Sequence, residues 1–254
     1  MPMFEADDGV SLYYQEWDGD PGLPLVVLHH GFIADHRTNW VGPGVVDALV
    51  SAGRRVAALD ARGHGRSDKP HDPARYGEAR MARDLVALVD QLVGPADYDL
   101  VGYSMGAVVA LITATRDPRV RRLVVGGVGE GVVACGGVDT RAVGREPLRD
   151  ALLAEDPAAV SPAAAGFRRF VDALRGDRVA LAAQASVLHD QPIPLDAITA
   201  PTLVLPGRDD HLASRPRALA DAIPGAELRV VAGDHLGTVR EPEFHSALIE
   251  FLAG

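Results

Sequence analysis

The chain reads as an α/β protein: a mostly parallel sheet flanked by helices, with a small helical lid inserted between two of its later strands. Three observations carry that reading. Short, largely apolar runs recur at residues 25–28, 56–59, 123–125 and 202–205. Segments with helical spacing of apolar residues separate them. From about residue 130 to residue 195 the alternation stops and only helix-like pieces remain. Apolar runs this short suit strands buried on both faces. Strands and helices taken in turn imply βαβ units with right-handed crossovers, which put helices on both faces of the sheet.

Taken in order, residues 11–17 have strand composition, and residues 25–28 (LVVL) and 56–59 (VAAL) are buried-strand runs. Met81, Leu85, Leu88, Val89 and Leu92 then repeat at helical spacing, with Arg83, Asp84, Asp90 and Gln91 between them, so this helix rests one face on the sheet. Strands follow at 98–101, 123–125, 202–205 and 228–231. Phe244, Leu248, Phe251 and Leu252 mark a last helix with Pro242 near its start. Within the interruption, Phe167, Phe170, Val171 and Leu174 form a short apolar face, and Leu181 and Val187-Leu188 suggest another. The expected division is a core of residues 1–129 and 196–254 and a lid of residues 130–195, jointed at the glycine-rich residues 126–131 and at Pro192-Ile193-Pro194.

The 254 residues suffice for one core with an inserted sub-domain. Hydrophobic residues at 47% and charged residues at 24% place the chain among ordinary globular proteins rather than disordered ones. A net charge of −10 without a basic stripe argues against nucleic acid as a partner. The single cysteine, Cys135, can form no internal disulfide and has no metal-ligand spacing around it, so it reads as a small hydrophobe in a reducing compartment. The first eight residues lack a basic and an apolar region, and no apolar run approaches a membrane span. A cytoplasmic location and no membrane partner are the expectations.

The strongest local signal is Gly102-Tyr103-Ser104-Met105-Gly106, a G-x-S-x-G pattern with a strand running in and a helix-compatible segment running out. A tight strand-to-helix turn strains the backbone at Ser104, exposes its hydroxyl, and offers a helix N-terminus to developing negative charge. Serine is a weak nucleophile and needs a base, which in this architecture comes last in the chain. His235, just after the strand at 228–231, meets that requirement, and His211 is the other late-loop candidate. The orienting acid should lie between the two in sequence. Gly207-Arg208-Asp209-Asp210 follows the strand at 202–205; Asp210, third after the glycine, is preferred, with its neighbour Asp209 as the alternative. The expected oxyanion donors are backbone N–H groups: that of Met105, and that of Phe32 in the His29-His30-Gly31-Phe32 loop. The His30 imidazole reads as structural.

Together with Asp60-Ala61-Arg62-Gly63-His64-Gly65-Arg66-Ser67 and Asp234-His235, these motifs resemble the α/β-hydrolase fold superfamily over nearly the whole chain outside the lid. The resemblance implies an eight-stranded sheet with an antiparallel strand near the N-terminus and the lid inserted after strand six. Gly-Tyr-Ser-Met-Gly is similar to the elbow of bacterial esterases, enol-lactonases and cofactor-free perhydrolases. Two positions depart from the pattern: Ile33 stands where proline is frequent, and Asp234 where glycine is frequent before the histidine. A serine at the elbow argues against the epoxide hydrolase and dehalogenase branches, whose nucleophile is a carboxylate. The machinery calls for no metal and no organic cofactor, and neither a P-loop nor a dinucleotide fingerprint is present. The expected function is hydrolysis of a small-molecule carboxylic ester through an acyl-enzyme. Lactone opening, thioester or C–C hydrolysis and perhydrolysis remain open on the same triad, as does a non-catalytic binding role.

Overall fold

The computed structural model describes residues 2–141, 144–156 and 161–254. Strands β1 (Met3–Glu5), β2 (Ser11–Trp17), β3 (Leu25–His29), β4 (Val56–Leu59), β5 (Tyr98–Tyr103), β6 (Val120–Gly126), β7 (Thr202–Val204) and β8 (Glu227–Leu228) form one sheet in the order β1-β2-β4-β3-β5-β6-β7-β8. Strand β2 is antiparallel to both β1 and β4, and every other pairing is parallel. The helices are α1 (Val45–Ser51), α2 (Glu78–Val93), α3 (Met105–Ala114), α4 (Glu130–Cys135), α5 (Arg145–Leu153), α6 (Pro162–Ala173), α7 (Arg178–Ala185), α8 (Pro216–Ala222) and α9 (Pro242–Ala253).

The apolar runs become strands because each feeds two cores at once. On β3, Leu25 and Val27 point into the core shared with α2, α3 and α8, while Val26 and Leu28 point into the one shared with α1 and α9. On β4, Ala57 and Leu59 take the first side and Val56 and Ala58 the second. This two-residue period with both faces covered is why these strands show no polar alternation.

Three local expectations change. Strand β1 carries no apolar run and is recruited by pairing Phe4 with Leu12. The strand expected at 228–231 pairs regularly only at Glu227–Leu228, and Val231 rejoins through an isolated bridge to Gly207. Pro206 stands in the facing segment and has no N–H to give, which interrupts the ladder there. The helix after the elbow begins at Met105, with Ser104 as its N-cap.

Helices α4–α7 fill the interval between β6 and β7, as the interrupted alternation foretold; the expected lid, 130–195, includes residues 142–143 and 157–160, which lie outside the described residues. Residues 187–188 lie past the end of α7. Leu148, Leu152, Val171 and Leu181 form a separate small core, joined from the main body by buried Ile33, with partly buried Phe32 packed against it. Buried Arg168 donates to the carbonyls of Ala151 and Ala154, satisfying the C-terminal end of α5. Among the described residues no helix is long and apolar enough to cross a membrane.

Candidate active site

At the junction of β5 and α3, Ser104 adopts φ 55° and ψ −118°, a conformation uncommon for a residue with a Cβ. The turn is so tight that a Cβ on Gly102 would run into the Gly106 carbonyl, and one on Gly106 into the His29 carbonyl. Close backbone approach, rather than freedom of φ, is what demands glycine at both positions. The Ser104 N–H donates to the Gly126 carbonyl at 2.8 Å, tying the elbow to the end of β6.

Ser104, His235 and Asp210 come together. Ser104 Oγ lies 3.0 Å from His235 Nε2, and His235 Nδ1 lies 3.0 and 2.9 Å from the two carboxylate oxygens of Asp210. A carboxylate only accepts, so Nδ1 carries the proton and Nε2 turns its lone pair to the serine hydroxyl. The Asp210 side chain is wholly buried and also accepts the N–H groups of Leu212 and Ala213 at 2.9 and 3.3 Å. Asp209, one residue earlier, is exposed and its N–H donates to the Gly233 carbonyl. His211 is exposed on the rim of the site. Glu130 is engaged by Arg141 and Arg215.

Two further residues hold this arrangement: Tyr103, whose supporting role the elbow motif that contains it does not reveal, and Asn39, which lies outside every motif. The Tyr103 hydroxyl donates to the His235 carbonyl at 2.8 Å, and burial pushes its phenol well above the ordinary range, so it stays a donor. Asn39 Oδ1 accepts the Gly31 N–H at 2.9 Å. That bond occupies the amide that precedes Phe32. Among the described residues no protein acceptor takes the N–H of Phe32 or of Met105.

The loop that presents Phe32 is fastened by imidazoles. His30 donates from Nδ1 to the Gly31 carbonyl at 2.8 Å and accepts the Ala61 N–H on Nε2 at 2.9 Å. His64 donates from Nδ1 to the Arg62 carbonyl at 2.9 Å and accepts the Ile33 N–H on Nε2 at 3.1 Å. Each ring must be neutral to accept. Burial, the largest influence, pushes His64 down to about 3 and lowers His30 as well. The segment from Asp60 to Ser67 is therefore the base on which this loop rests. Asp60 itself accepts from the N–H groups of His36 and Arg66, and Arg62 is locked in a two-pronged pair with Asp84.

Two cavities open on Ser104. One, of about 60 Å³, is bounded by Gly31, Asn39, Tyr103, His235 and Val239. The other, of about 410 Å³, extends under the lid between Met105, Val138, Leu148, Phe167, Phe170 and Leu212.

Comparison with known proteins agrees with this architecture. Residues 24–130 match the model of the alpha/beta hydrolase fold family. A protein of Variovorax paradoxus (strain S110) named as a carbamate hydrolase, RutD, is 32% identical over 239 residues, which cover 81% of this chain and 84% of that protein. The mouse (Mus musculus) sn-1-specific diacylglycerol lipase ABHD11 is 42% identical over 118 residues, and there the match covers 46% of this chain and only 36% of the relative. Among solved structures, a hydrolase from Pseudomonas aeruginosa PA01 superposes with a TM-score of 0.80 at 28% identity, covering 100% of this chain and 98% of its own. The enol-lactonase of Burkholderia xenovorans LB400 gives 0.75 at 25% identity, with 100% of both chains covered. The chain belongs to the α/β-hydrolase fold family.

Proposed function

We propose that the chain is a serine hydrolase that cleaves a carboxylic ester, or a closely related acyl bond, of a small molecule. The observation that carries this reading is the continuous hydrogen-bonded line from Ser104 Oγ through His235 to buried Asp210. In the first half-reaction Ser104 Oγ attacks the ester carbonyl carbon while His235 Nε2 takes the hydroxyl proton. Asp210 holds the imidazole in its tautomer and stabilises the imidazolium. The Phe32 and Met105 N–H groups, which have no protein acceptor among the described residues, receive the oxyanion, with the N-terminus of α3 behind them. Collapse of the tetrahedral adduct breaks the carbonyl–oxygen bond, and His235 returns the proton to the leaving alkoxide. Water then attacks the acyl-Ser104 ester by the same route and releases the acid. The reading joins residues 1–129 and 196–254 as the catalytic body and residues 130–195 as a lid that shapes the substrate.

Lactone opening uses the same steps, with the leaving alcohol tethered to the acyl group. The likeness to an enol-lactonase at 25% identity keeps it as a second reading. The test is pre-steady-state hydrolysis of p-nitrophenyl acetate. A stoichiometric burst of p-nitrophenol followed by slower turnover supports an acyl-enzyme, and absence of any esterase activity in folded protein contradicts the proposal.

A further inference from the structure

We infer that the substrate carries a carboxylate at the end of an apolar stem, and that Arg37 and Arg240 bind this carboxylate at the mouth of the site. This rests on the reading of Ser104 as an acyl-transfer nucleophile.

The small cavity at Ser104 shares Thr38, Phe170 and Leu236 with an adjoining hollow of about 470 Å³. Phe170 and Leu236 also wall the larger cavity under the lid, so the hollow adjoins both spaces at the nucleophile. Arg37 and Arg240 line it, and no carboxylate does. Arg37 opens the turn Arg37–Val41 that follows the Phe32 loop, and Arg240 closes the turn Thr238–Arg240 that follows His235. Both turns are held by backbone bonds: the Arg37 carbonyl accepts the Gly42 N–H at 2.7 Å, and the Arg240 N–H donates to the Gly237 carbonyl at 2.8 Å. Both arginines are exposed, and among the described residues neither guanidinium takes part in an ion pair or a side-chain hydrogen bond. Arg141 and Arg215, by contrast, are already paired with Asp139 and Glu130.

The cationic excess continues around Arg37. A further hollow shares Arg37, Thr38 and Leu174 and adds Arg66, Lys69 and Arg175 against one carboxylate, Asp35. Lys69 Nζ donates to the carbonyls of Gly65 and Ser67, which leave its charge in place. The mouth of the site is therefore locally positive on a chain of net charge −10. The field of the whole protein repels an anion, so attraction must act at short range, from the groups that line the hollow. A guanidinium presents paired N–H donors that match the two oxygens of a carboxylate. The remaining side chains of the hollow are chiefly apolar, with Val41, Phe170, Leu174 and Leu236 among them, and they favour transfer of a hydrocarbon stem out of water. An apolar stem ending in a compact anion meets both demands.

The experiment measures kcat/KM for esters with a terminal carboxylate and for the same esters with a terminal carboxamide, which has the same shape and no charge. Mono-p-nitrophenyl suberate puts the carboxylate on the acyl branch, and δ-acetoxyvalerate puts it on the alcohol branch. The readout is the ratio of carboxylate to carboxamide at low ionic strength. In at least one of the two series the parent is expected to prefer the carboxylate by about tenfold. Contacts open to water are individually modest, so Arg37→Gln and Arg240→Gln should each lower the ratio ~3-fold, and the double variant about tenfold. Arg37→Lys keeps the charge and should retain most of the preference. Arg83→Gln makes the same change of net charge on exposed α2, lines neither hollow, and should leave the ratio as in the parent. Salt at about 1 M should abolish the preference, because it shortens the screening length to roughly 3 Å. A parent ratio near one or below in both series would overturn the inference. So would a double variant within twofold of the parent ratio, or an Arg83→Gln loss as large as that of the double variant. Phenyl acetate turnover and fluorophosphonate labelling of Ser104 separate the two levels. If both occur while the preference is absent, only the substrate class is wrong. If neither occurs, the nucleophile assignment fails and the inference falls with it.

Discussion

The amide of Ile33 donates to Nε2 of His64 at 3.1 Å while Ile33 itself sits at φ 73°. A β-branched residue with positive φ is a strained backbone, and two contacts hold it there. Its N–H is captured by a neutral imidazole, and its buried side chain is packed into the lid core with Leu148, Leu152 and Leu181. Proline, frequent at this position in the family, allows neither a positive φ nor the hydrogen bond. The loop that presents the Phe32 amide is thus set by His64 from below and by the lid from above.

His64→Ala should therefore lower kcat more than it raises KM, by roughly 10- to 100-fold, because misplacing an oxyanion donor weakens transition-state binding selectively. Steady-state kinetics on one activated ester, with an unfolding curve to verify that the variant is folded, decides it. An unchanged kcat would remove His64 from the positioning role.

Stability should fall with acidity earlier than carboxylate titration alone would require. Burial pushes His29 and His64 down to about 3, against an ordinary value of 6.5. The native state keeps both neutral while the unfolded chain protonates them, so the unfolded state binds more protons as pH drops below 6.5. Their contribution is complete above that pH and is lost progressively toward 3. Denaturation at a series of pH values from 7.5 to 4.5 should show a slope of about 1.4 kcal/mol per pH unit for each net proton taken up. His64→Ala should reduce the uptake by about one proton, and a profile indistinguishable from the parent would contradict the account.

Glu78 acts in the opposite direction. At the start of α2 it is wholly buried, accepts the His189 N–H at 2.8 Å, and is pushed up to about 7 by loss of hydration. The native state holds this proton after the unfolded chain has released its own, so the stabilisation is full below pH 4.5 and is lost as pH rises through 7. Glu78→Gln keeps an acceptor and abolishes the titration. The stability of the variant relative to the parent should rise by about 3 kcal/mol between pH 4.5 and pH 8. A constant difference across that range would show that Glu78 does not titrate there.

The adjacent acids Asp209 and Asp210 should separate cleanly. Asp210→Asn should cost several orders of magnitude in turnover, since an amide can present its NH₂ to the imidazole and favour the wrong tautomer; the analogous change in a serine protease, an established example on another fold, costs ~10⁴-fold. Asp209→Asn alters an exposed side chain and should stay within about threefold of the parent. The comparison is made on one activated ester, and a crippled Asp209→Asn beside a nearly normal Asp210→Asn would reverse the assignment.

The legible parts of this molecule were those where one residue type answers one physical demand. Runs such as residues 25–28 announced strands covered on both faces, and the glycines around Ser104 announced a turn too tight for side chains. Chain order brought His235 and Asp210 to the serine, although they lie 131 and 25 residues from their respective partners. What stayed hidden depends on three-dimensional neighbours. Strand β1 exists only because β2 offers it an edge. Asn39 and Tyr103 support the site through single hydrogen bonds that no spacing encodes. His64 stood in the sequence only as part of the Asp60–Ser67 motif, and its service to Ile33 became visible only when both loops were in place. The lid cavity is walled by residues of α5 and α6 and of the segments that follow α4 and α7, and its size had no counterpart in any motif.

The central claim is that Ser104 is the nucleophile of an acyl-transfer reaction. Peptide mass mapping after treatment with a fluorophosphonate tests it most directly, with Ser104→Ala treated in parallel. The account predicts one phosphonyl adduct, on the peptide containing Ser104, formed in step with loss of esterase activity, and neither adduct nor turnover in folded Ser104→Ala. An adduct on another residue, or a Ser104→Ala variant that still hydrolyses esters at near the parent rate, would contradict it.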